Sequence, residues 1–139
     1  MGKRRSGRIA ALQVLYELDA REGFQTANQM LGRHFEAFDP EIDPDVRAFA
    51  ETLVRGVVAQ REVLDERIAR ASEHWRLERM ARVDRNVVRL ASFELDARGD
   101  VVPPRVVINE EIELAKAFGD SESGAFINGL LDRILRDLK

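Results

Sequence analysis

Cationic side chains near the N-terminus, followed by an aromatic residue, have the chemistry that binds single-stranded RNA. Four cations lie within eight residues that contain no acidic side chain: Lys3, Arg4, Arg5 and Arg8. Tyr16 follows Arg8 by about two helical turns. Cations pair with phosphates, and an accessible aromatic ring stacks on a base. Two alternatives stay open: the segment could be an ordinary solvated N-terminus, and Tyr16 a core ring with its hydroxyl at the surface. Spacing alone favours the core position for Tyr16.

This basic arm, residues 1–8, differs in charge from the rest of the chain. The whole chain has 22 basic and 25 acidic side chains, so removing the four arm cations leaves 18 against 25. A balance of −7 outside the arm predicts a polyanionic partner that contacts only part of the surface.

Metal-binding patterns are missing from the sequence. The chain has no cysteine, which excludes disulfides, thiolate metal sites and a cysteine nucleophile. Its two histidines, His34 and His74, lack partners at metal-ligand spacing, and His34 is predicted at the edge of the core. The acidic run at 39–45 superficially resembles a calcium loop, but Pro44 stands where that loop needs glycine. We therefore expect no bound metal.

Catalytic patterns are missing as well. The chain has no Walker loop, no dinucleotide-binding glycine pattern and no serine nucleophile elbow. The adjacent Glu110 and Glu111 point to different faces of a helix, so they cannot act as a carboxylate pair. The sequence predicts a binding protein without enzymatic activity or cofactor.

Length and composition indicate an ordinary globular domain. The 139 residues are 45% hydrophobic and 34% charged, which suits one soluble domain with its own core. No apolar run approaches the roughly 18 residues that cross a bilayer. Gln13, Glu17 and Asp19 interrupt the apolar stretch after the arm, so we expect no signal peptide and a cytoplasmic protein without membrane contact.

Helices are predicted along the whole chain, because apolar residues recur at helical spacing and no β-type alternation is found. The expected segments are about 8–22, 26–38, 44–68 with a weak point near Gly56, 75–80, 84–99, 103–118 and 126–138. Asp43 is the expected N-cap of the third helix, with Pro44 at its first position. Short connections favour a compact bundle.

Two sequence blocks near the C-terminus are more specific than helix periodicity. VINEEIELAKAFG at 107–119 and FINGLLD at 126–132 resemble the paired signature of the NusB family. RNVVRLASFEL at 85–95 resembles the central helix of that family, and residues 8–16 resemble its first helix. The resemblance covers essentially the whole chain, in order and with the usual spacing.

The resemblance implies an all-α fold of about seven helices arranged as two small helical subdomains, without catalysis. It also implies a role in transcription antitermination on ribosomal RNA operons. The implied partners are boxA RNA, the ribosomal protein NusE, and a transcription complex with RNA polymerase and other Nus factors. Monomer and homodimer both remain open.

The resemblance also implies binding residues, which are matched here position by position. Six match the RNA-binding positions of the family: Arg4, Arg5, Arg8, Tyr16, Glu122 and Phe126. Lys3 joins them as part of the arm, and Glu78 and Asp84 match the partner-binding positions, although Asp84 is also a candidate helix N-cap. Ser6 and Gly7 thin the arginine arm and make it flexible. Glu122 stands where aspartate is common, which keeps the acceptor oxygen but adds a methylene.

Three residues of the signature are expected to have structural roles. Gly129 inside a helix costs about 1 kcal/mol relative to alanine, so we expect it to permit a close helix crossing. Asn109 and Asn128 are expected to join the last two helices by hydrogen bonds.

Two other functions are compatible with parts of this sequence. Domains similar to the NusB family begin some RNA cytosine methyltransferases, but those enzymes need a cofactor domain and a cysteine nucleophile, and this chain has neither. The remaining alternative is a helical protein-binding adaptor whose basic arm is incidental.

Overall fold

A computed structural model describes residues 2–73, 76–97 and 102–138, and these residues form helices and connecting turns without a strand. The described α-helices are α1 (Lys3–Ala20), α2 (Ala27–Phe38), α3 (Pro44–Ala59), α4 (Arg61–Ala71), α5 (Arg82–Ala97), α6 (Pro104–Phe118) and α7 (Ser123–Leu138). The expected all-α fold is confirmed. The chain divides into an N-terminal unit that ends at Ala59 and a C-terminal unit that begins at Gln60. No helix in the described ranges is long and apolar enough to cross a membrane.

The N-terminal unit is built around α1. Residues on several sides of this helix are fully buried, among them Ala11, Val14, Leu15 and Leu18. It packs against α2 and α3, which also contact each other. Its polar side is marked by Gln13, which is exposed, and by Glu17, which forms an ion pair of 2.8 Å with Arg21. The helix α1 is therefore the central element of the N-terminal unit.

The basic arm is not a flexible extension ahead of α1, because the helix already begins at Lys3. The amide of Ser6 donates to the carbonyl oxygen of Gly2 at 3.0 Å, within the first turn. Gly7 has a packing role: a Cβ there would lie 2.5 Å from Cδ2 of Phe49 on α3. The glycine that we interpreted as a flexible point thus lets two helices approach each other.

The start of α3 is as predicted. Oδ1 of Asp43 accepts the backbone N–H groups of Asp45 at 2.8 Å and Val46 at 3.3 Å, and Pro44 is the first helical residue. These two hydrogen bonds, together with nearby Lys3, hold the pKa of Asp43 below its usual value. Asp43 is therefore the N-cap.

The predicted helix over 44–68 is two helices. It is broken at Gln60, whose φ of −108° and ψ of 14° are not helical, while Gly56 lies inside α3. Apolar residues keep their helical spacing across the break, so the sequence pattern does not reveal it. The break coincides with the boundary between the two units.

The C-terminal unit is built around α5, which packs against α4, α6 and α7. Arg89 of α5 makes a bidentate contact with Asp65 of α4, through Nε to Oδ1 at 2.8 Å and through its second amino group to Oδ2 at 3.1 Å. The guanidinium also donates to Oδ1 of Asn86 at 3.0 Å. Such paired geometry orients α4 on α5 as well as neutralising a buried charge.

The expected contacts between the last two helices are wrong. Asn109 and Asn128 are exposed, and neither makes a side-chain hydrogen bond within the described residues. A Cβ on Gly129 would meet nothing within 4 Å, so no helix crosses there. The close approach is at Gly124, where a Cβ would lie 3.0 Å from Cε of Lys116 on α6.

An ion pair of 2.6 Å between Arg105 and Asp132 also joins α6 to α7. The short segment expected at 75–80 is a single 3-10 turn, Leu77–Arg79. The predictions for His74, Trp75 and Gly99 lie outside the described residues.

Candidate nucleic-acid interface

The three cations of the first helical turn are exposed but differ in their contacts. Lys3 Nζ donates to Oδ2 of Asp45 at 2.7 Å and lies 3.5 Å from Oδ2 of Asp43. The hydrogen bond to Asp45, with the charge of Asp43, raises the pKa of Lys3 above its usual value. Arg4 and Arg5 are exposed, and Arg4 has no ion pair with any described residue. A phosphate therefore competes with carboxylates at Lys3, whereas Arg4 is accessible directly.

Arg8 differs from the other arm residues because its side chain is buried. Only 3% of Arg8 is exposed, and its guanidinium carbon lies 5.8 Å from the ring centroid of Phe49. A cation over an aromatic face at this distance is a stabilising contact, stronger away from water. This position favours a structural role for Arg8, and its contact with RNA stays a prediction.

Tyr16 is 41% exposed, so its ring is not the core residue that spacing alone favoured. Since α1 is continuous from Lys3, the positions of its side chains follow from helix geometry. At about 3.6 residues per turn, Arg5 and Tyr16 come within about 20° of each other around the axis and lie roughly 16 Å apart along it. Arg5 and Tyr16 therefore share one exposed face of a rigid helix.

Glu122 and Phe126 lie at the start of α7, one helical turn apart. Oδ1 of Asp120 accepts the backbone N–H of Glu122 at 2.9 Å, and Oγ of Ser123 accepts the N–H of Asp120 at 3.2 Å, which together cap the helix. The amide of Phe126 donates to the carbonyl oxygen of Glu122 at 3.3 Å. Glu122 is exposed and Phe126 is half-buried, so this turn presents a carboxylate and part of a ring together.

Phe118 is a candidate that the sequence analysis missed. It is the last residue of α6, immediately before the loop that leads to Glu122, and it is 44% exposed. The sequence signal for Phe118 is its position directly before Gly119, the glycine that ends the helix. The apolar face that packs in the core need not extend to the last residue of a helix, so an aromatic residue there can be exposed.

The two predicted partner-binding residues differ in accessibility. Glu78 is exposed in the 3-10 turn Leu77–Arg79, and its carbonyl oxygen accepts a hydrogen bond of 3.4 Å from Arg85. Asp84 is only 8% exposed and is the third residue of α5, so it is not the N-cap that we considered. Burial raises the pKa of Asp84, the charge of Asp120 adds to the effect, and a hydrogen bond with Ser123 opposes it.

His34 lies at the edge of the core, as predicted. Its Nδ1 is 3.6 Å from Oε2 of Glu17, and its ring contacts those of Phe35 and Phe38, each with centroids 5.2 Å away. Among the described residues, no three His, Asp or Glu side chains come together in a way that could hold a metal ion.

Comparison with known proteins identifies the family. The pattern of the NusB family matches residues 5–136. The transcription antitermination protein NusB of Myxococcus xanthus is 48% identical over 136 residues, which cover 96% of this chain and 95% of that protein. The structure of T. maritima NusB superimposes with a TM-score of 0.81 at 34% identity, over 99% of this chain and 92% of the other.

A crystal structure of the antitermination factors NusB and NusE in complex with double-stranded RNA is also similar. Its matching chain gives a TM-score of 0.79 at 27% identity, over 99% of this chain and 98% of that chain. Family pattern, sequence identity and fold all agree over nearly the full length. The chain therefore belongs to the NusB family of transcription antitermination proteins.

Proposed function

We propose that this protein binds boxA-type RNA together with NusE and so supports antitermination on ribosomal RNA operons, in a complex with RNA polymerase and other Nus factors. The main support for RNA binding is that Arg5 and Tyr16 share one exposed face of a continuous helix. The similarity to a NusB chain crystallised with NusE and RNA supports the choice of partners.

On the N-terminal unit, α1 supplies the chemistry for a single strand. Arg4 and Arg5 pair with phosphates, and the Tyr16 ring stacks on a base about 16 Å from Arg5, a span of a few nucleotides. Lys3 contributes when a phosphate replaces Asp45 as its partner. Arg8 supports this surface from beneath, through its contact with Phe49.

On the C-terminal unit, the first turn of α7 supplies a different kind of contact. The carboxylate of Glu122 is an acceptor only, so it repels phosphate but accepts hydrogen bonds from base amino groups. Phe118 and Phe126 add apolar surface on which bases stack. We therefore assign base contacts to the first turn of α7 and phosphate contacts to the arm.

The NusE contact is assigned to Glu78. Ribosomal proteins are rich in basic residues, and an exposed carboxylate complements them. Asp84 is too buried to offer its carboxylate directly to a partner. The protein works by binding and performs no catalysis.

The test is a titration of fluorescent boxA-type RNA, and of a scrambled RNA, with and without NusE. We expect NusE to strengthen boxA binding by about 5- to 150-fold, the usual range of coupling between two sites. Glu78→Lys should abolish most of this gain while RNA binding by the isolated protein is unchanged or improved. Asp137→Lys makes the same charge change at an exposed position in the last turn of α7 and should behave as the wild type.

Equal binding of boxA and scrambled RNA, in the presence of NusE, would contradict the proposal. Such a result, with NusE still bound, would favour the helical protein-binding adaptor instead.

A further inference from the structure

The first turn of α5 and the loop between α6 and α7 (residues 119–122) meet at a buried carboxyl group. A Cβ added to Gly119 would lie 3.1 Å from Oδ1 of Asp84, 2.6 Å from Oγ of Ser123 and 2.7 Å from the carbonyl oxygen of Ala115. Asp84 and Ser123, which is 2% exposed, thus enclose Gly119 on the side where a side chain would stand. Only glycine fits between them.

Ser123 connects Asp84 to the rest of the loop. Its hydroxyl accepts the N–H of Asp120 at 3.2 Å and lies 3.3 Å from Oδ1 of Asp120, which in turn accepts the N–H of Glu122 at 2.9 Å. A serine hydroxyl has one hydrogen, so it can donate to Asp84 or to Asp120 but not to both at once. Asp84 therefore lies next to Gly119 and Ser123, and Ser123 is hydrogen-bonded to Asp120, which in turn caps Glu122.

We propose that Asp84 is a positioning residue, which holds the loop at 119–122 in the conformation that presents Glu122 and starts α7 one turn before Phe126. Its carboxyl group faces Gly119 and Ser123 rather than solvent, so it acts through the loop and not by touching RNA or a protein partner. The consequence for RNA binding rests on the proposed function, whereas the positioning of the loop does not.

Helix capping does not explain the burial of Asp84. The helix begins two residues earlier, at Arg82, and Oδ1 of Asp84 accepts no hydrogen bond from any described residue. A buried carboxyl oxygen without a donor costs free energy. Its position against Gly119 and Ser123 therefore relates the burial of Asp84 to the loop rather than to the start of α5.

The direct test is amide hydrogen exchange of Glu122 and Ser123 by NMR, in the full chain without RNA. We expect Asp84→Ala to speed exchange at both amides by about three- to tenfold, the effect of losing one hydrogen bond. Amides of α1 to α3 should not change. Asp84→Asn keeps the shape and an acceptor oxygen, so it should restore most of the protection, whereas Asp84→Leu fills the space without an acceptor and should not.

Glu78→Ala is the matched control, because it removes an exposed carboxylate near the same helix and should leave the loop amides unchanged. A second variant, Gly119→Ala, keeps Asp84 but pushes its Cβ against Ser123, and it should affect the same amides. If Asp84→Ala does not fold, Asp84→Leu provides the test. Exchange at Glu122 that is the same in Asp84→Ala or Asp84→Leu as in the wild type overturns the proposal.

RNA affinity measured on the same proteins separates this inference from the proposed function. Faster exchange with weaker boxA binding, both restored in part by Asp84→Asn, supports the positioning role and the role of the loop in RNA binding. Faster exchange with unchanged RNA affinity supports the positioning role and removes the loop from the proposed RNA surface.

Discussion

Lys3 and Asp45 form an ion pair in which Nζ lies 2.7 Å from Oδ2, so the first turn of α1 is joined to the first turn of α3. Both side chains are largely exposed, and Asp43 lies beside them as the N-cap of α3. An RNA phosphate that approaches Lys3 therefore competes with protein carboxylates for the same ammonium group.

Removing one of these carboxylates should strengthen RNA binding. Asp45→Asn leaves Lys3 more available, and because exposed ion pairs contribute about 0.2–1 kcal/mol, the gain should be at most about fivefold. The measurement is RNA affinity at low salt. Glu41→Gln removes a nearby exposed charge that Lys3 does not contact, so it is the control. If both variants bind RNA equally, the effect is general charge repulsion and not competition for Lys3.

The salt dependence of RNA binding should reflect three accessible cations. Arg8 is buried, which leaves Lys3, Arg4 and Arg5 to neutralise about three phosphates, with a log–log slope of about −2 on single-stranded RNA. Replacing both Arg4 and Arg5 by alanine should reduce the slope to about −0.7. A slope that does not change would place the phosphate contacts elsewhere. Deleting residues 1–8 is a poorer test, since Gly7 and Arg8 pack against Phe49.

Two glycines in helices should respond in opposite ways to alanine. Gly129 has open space around it, so Gly129→Ala should stabilise the protein by about 0.5–1 kcal/mol, the helix-propensity difference. Gly7→Ala should destabilise it, because the new Cβ would lie 2.5 Å from Cδ2 of Phe49. Chemical unfolding monitored by circular dichroism gives both values. Destabilisation by Gly129→Ala would mean that this position has a packing partner.

These glycines illustrate which features can be predicted from the sequence. Asp43 and Pro44 act through their own neighbours along the chain, so the cap could be predicted correctly. Gly7, Gly124 and Gly129 look alike in sequence, and only the residues opposite them decide which one allows close packing. Their roles depend on contacts between helices, and these contacts cannot be predicted from the periodicity of apolar residues within one helix.

The same distinction applies to the candidate site. The cationic chemistry of the arm follows from residue type, and the sequence blocks at 107–119 and 126–132 led to the correct family, but spacing alone placed Tyr16 in the core and not at the surface. The burial of Arg8 and of Asp84 did not follow, because a charged residue is expected at the surface unless a partner across the fold encloses it.

Stability should depend on pH through Asp84. Its pKa is raised in the folded protein above the usual 3.8, so the folded state binds more protons than the unfolded state just above that pH. This contribution to stability is fully present below the unfolded pKa and is lost as pH rises through the folded pKa. Asp84→Asn should therefore gain stability relative to the wild type as pH increases from about 3.8, and the difference should then level off. Urea unfolding at a series of pH values measures this difference, and a difference independent of pH would contradict it.

The most direct test of the proposed function is the affinity of boxA-type RNA for Tyr16→Ala, measured with NusE present and compared with the melting temperature of the same variant. If the ring stacks on a base, RNA affinity should fall by about 1–3 kcal/mol, or roughly 5- to 150-fold, while the 41% exposed side chain makes the loss of stability small. Tyr16→Phe should bind nearly as well as the wild type, and Arg5→Ala should weaken binding most at low salt and less as the salt concentration rises. A folded Tyr16→Ala protein that binds RNA as tightly as the wild type would contradict the assignment of this face of α1 to RNA.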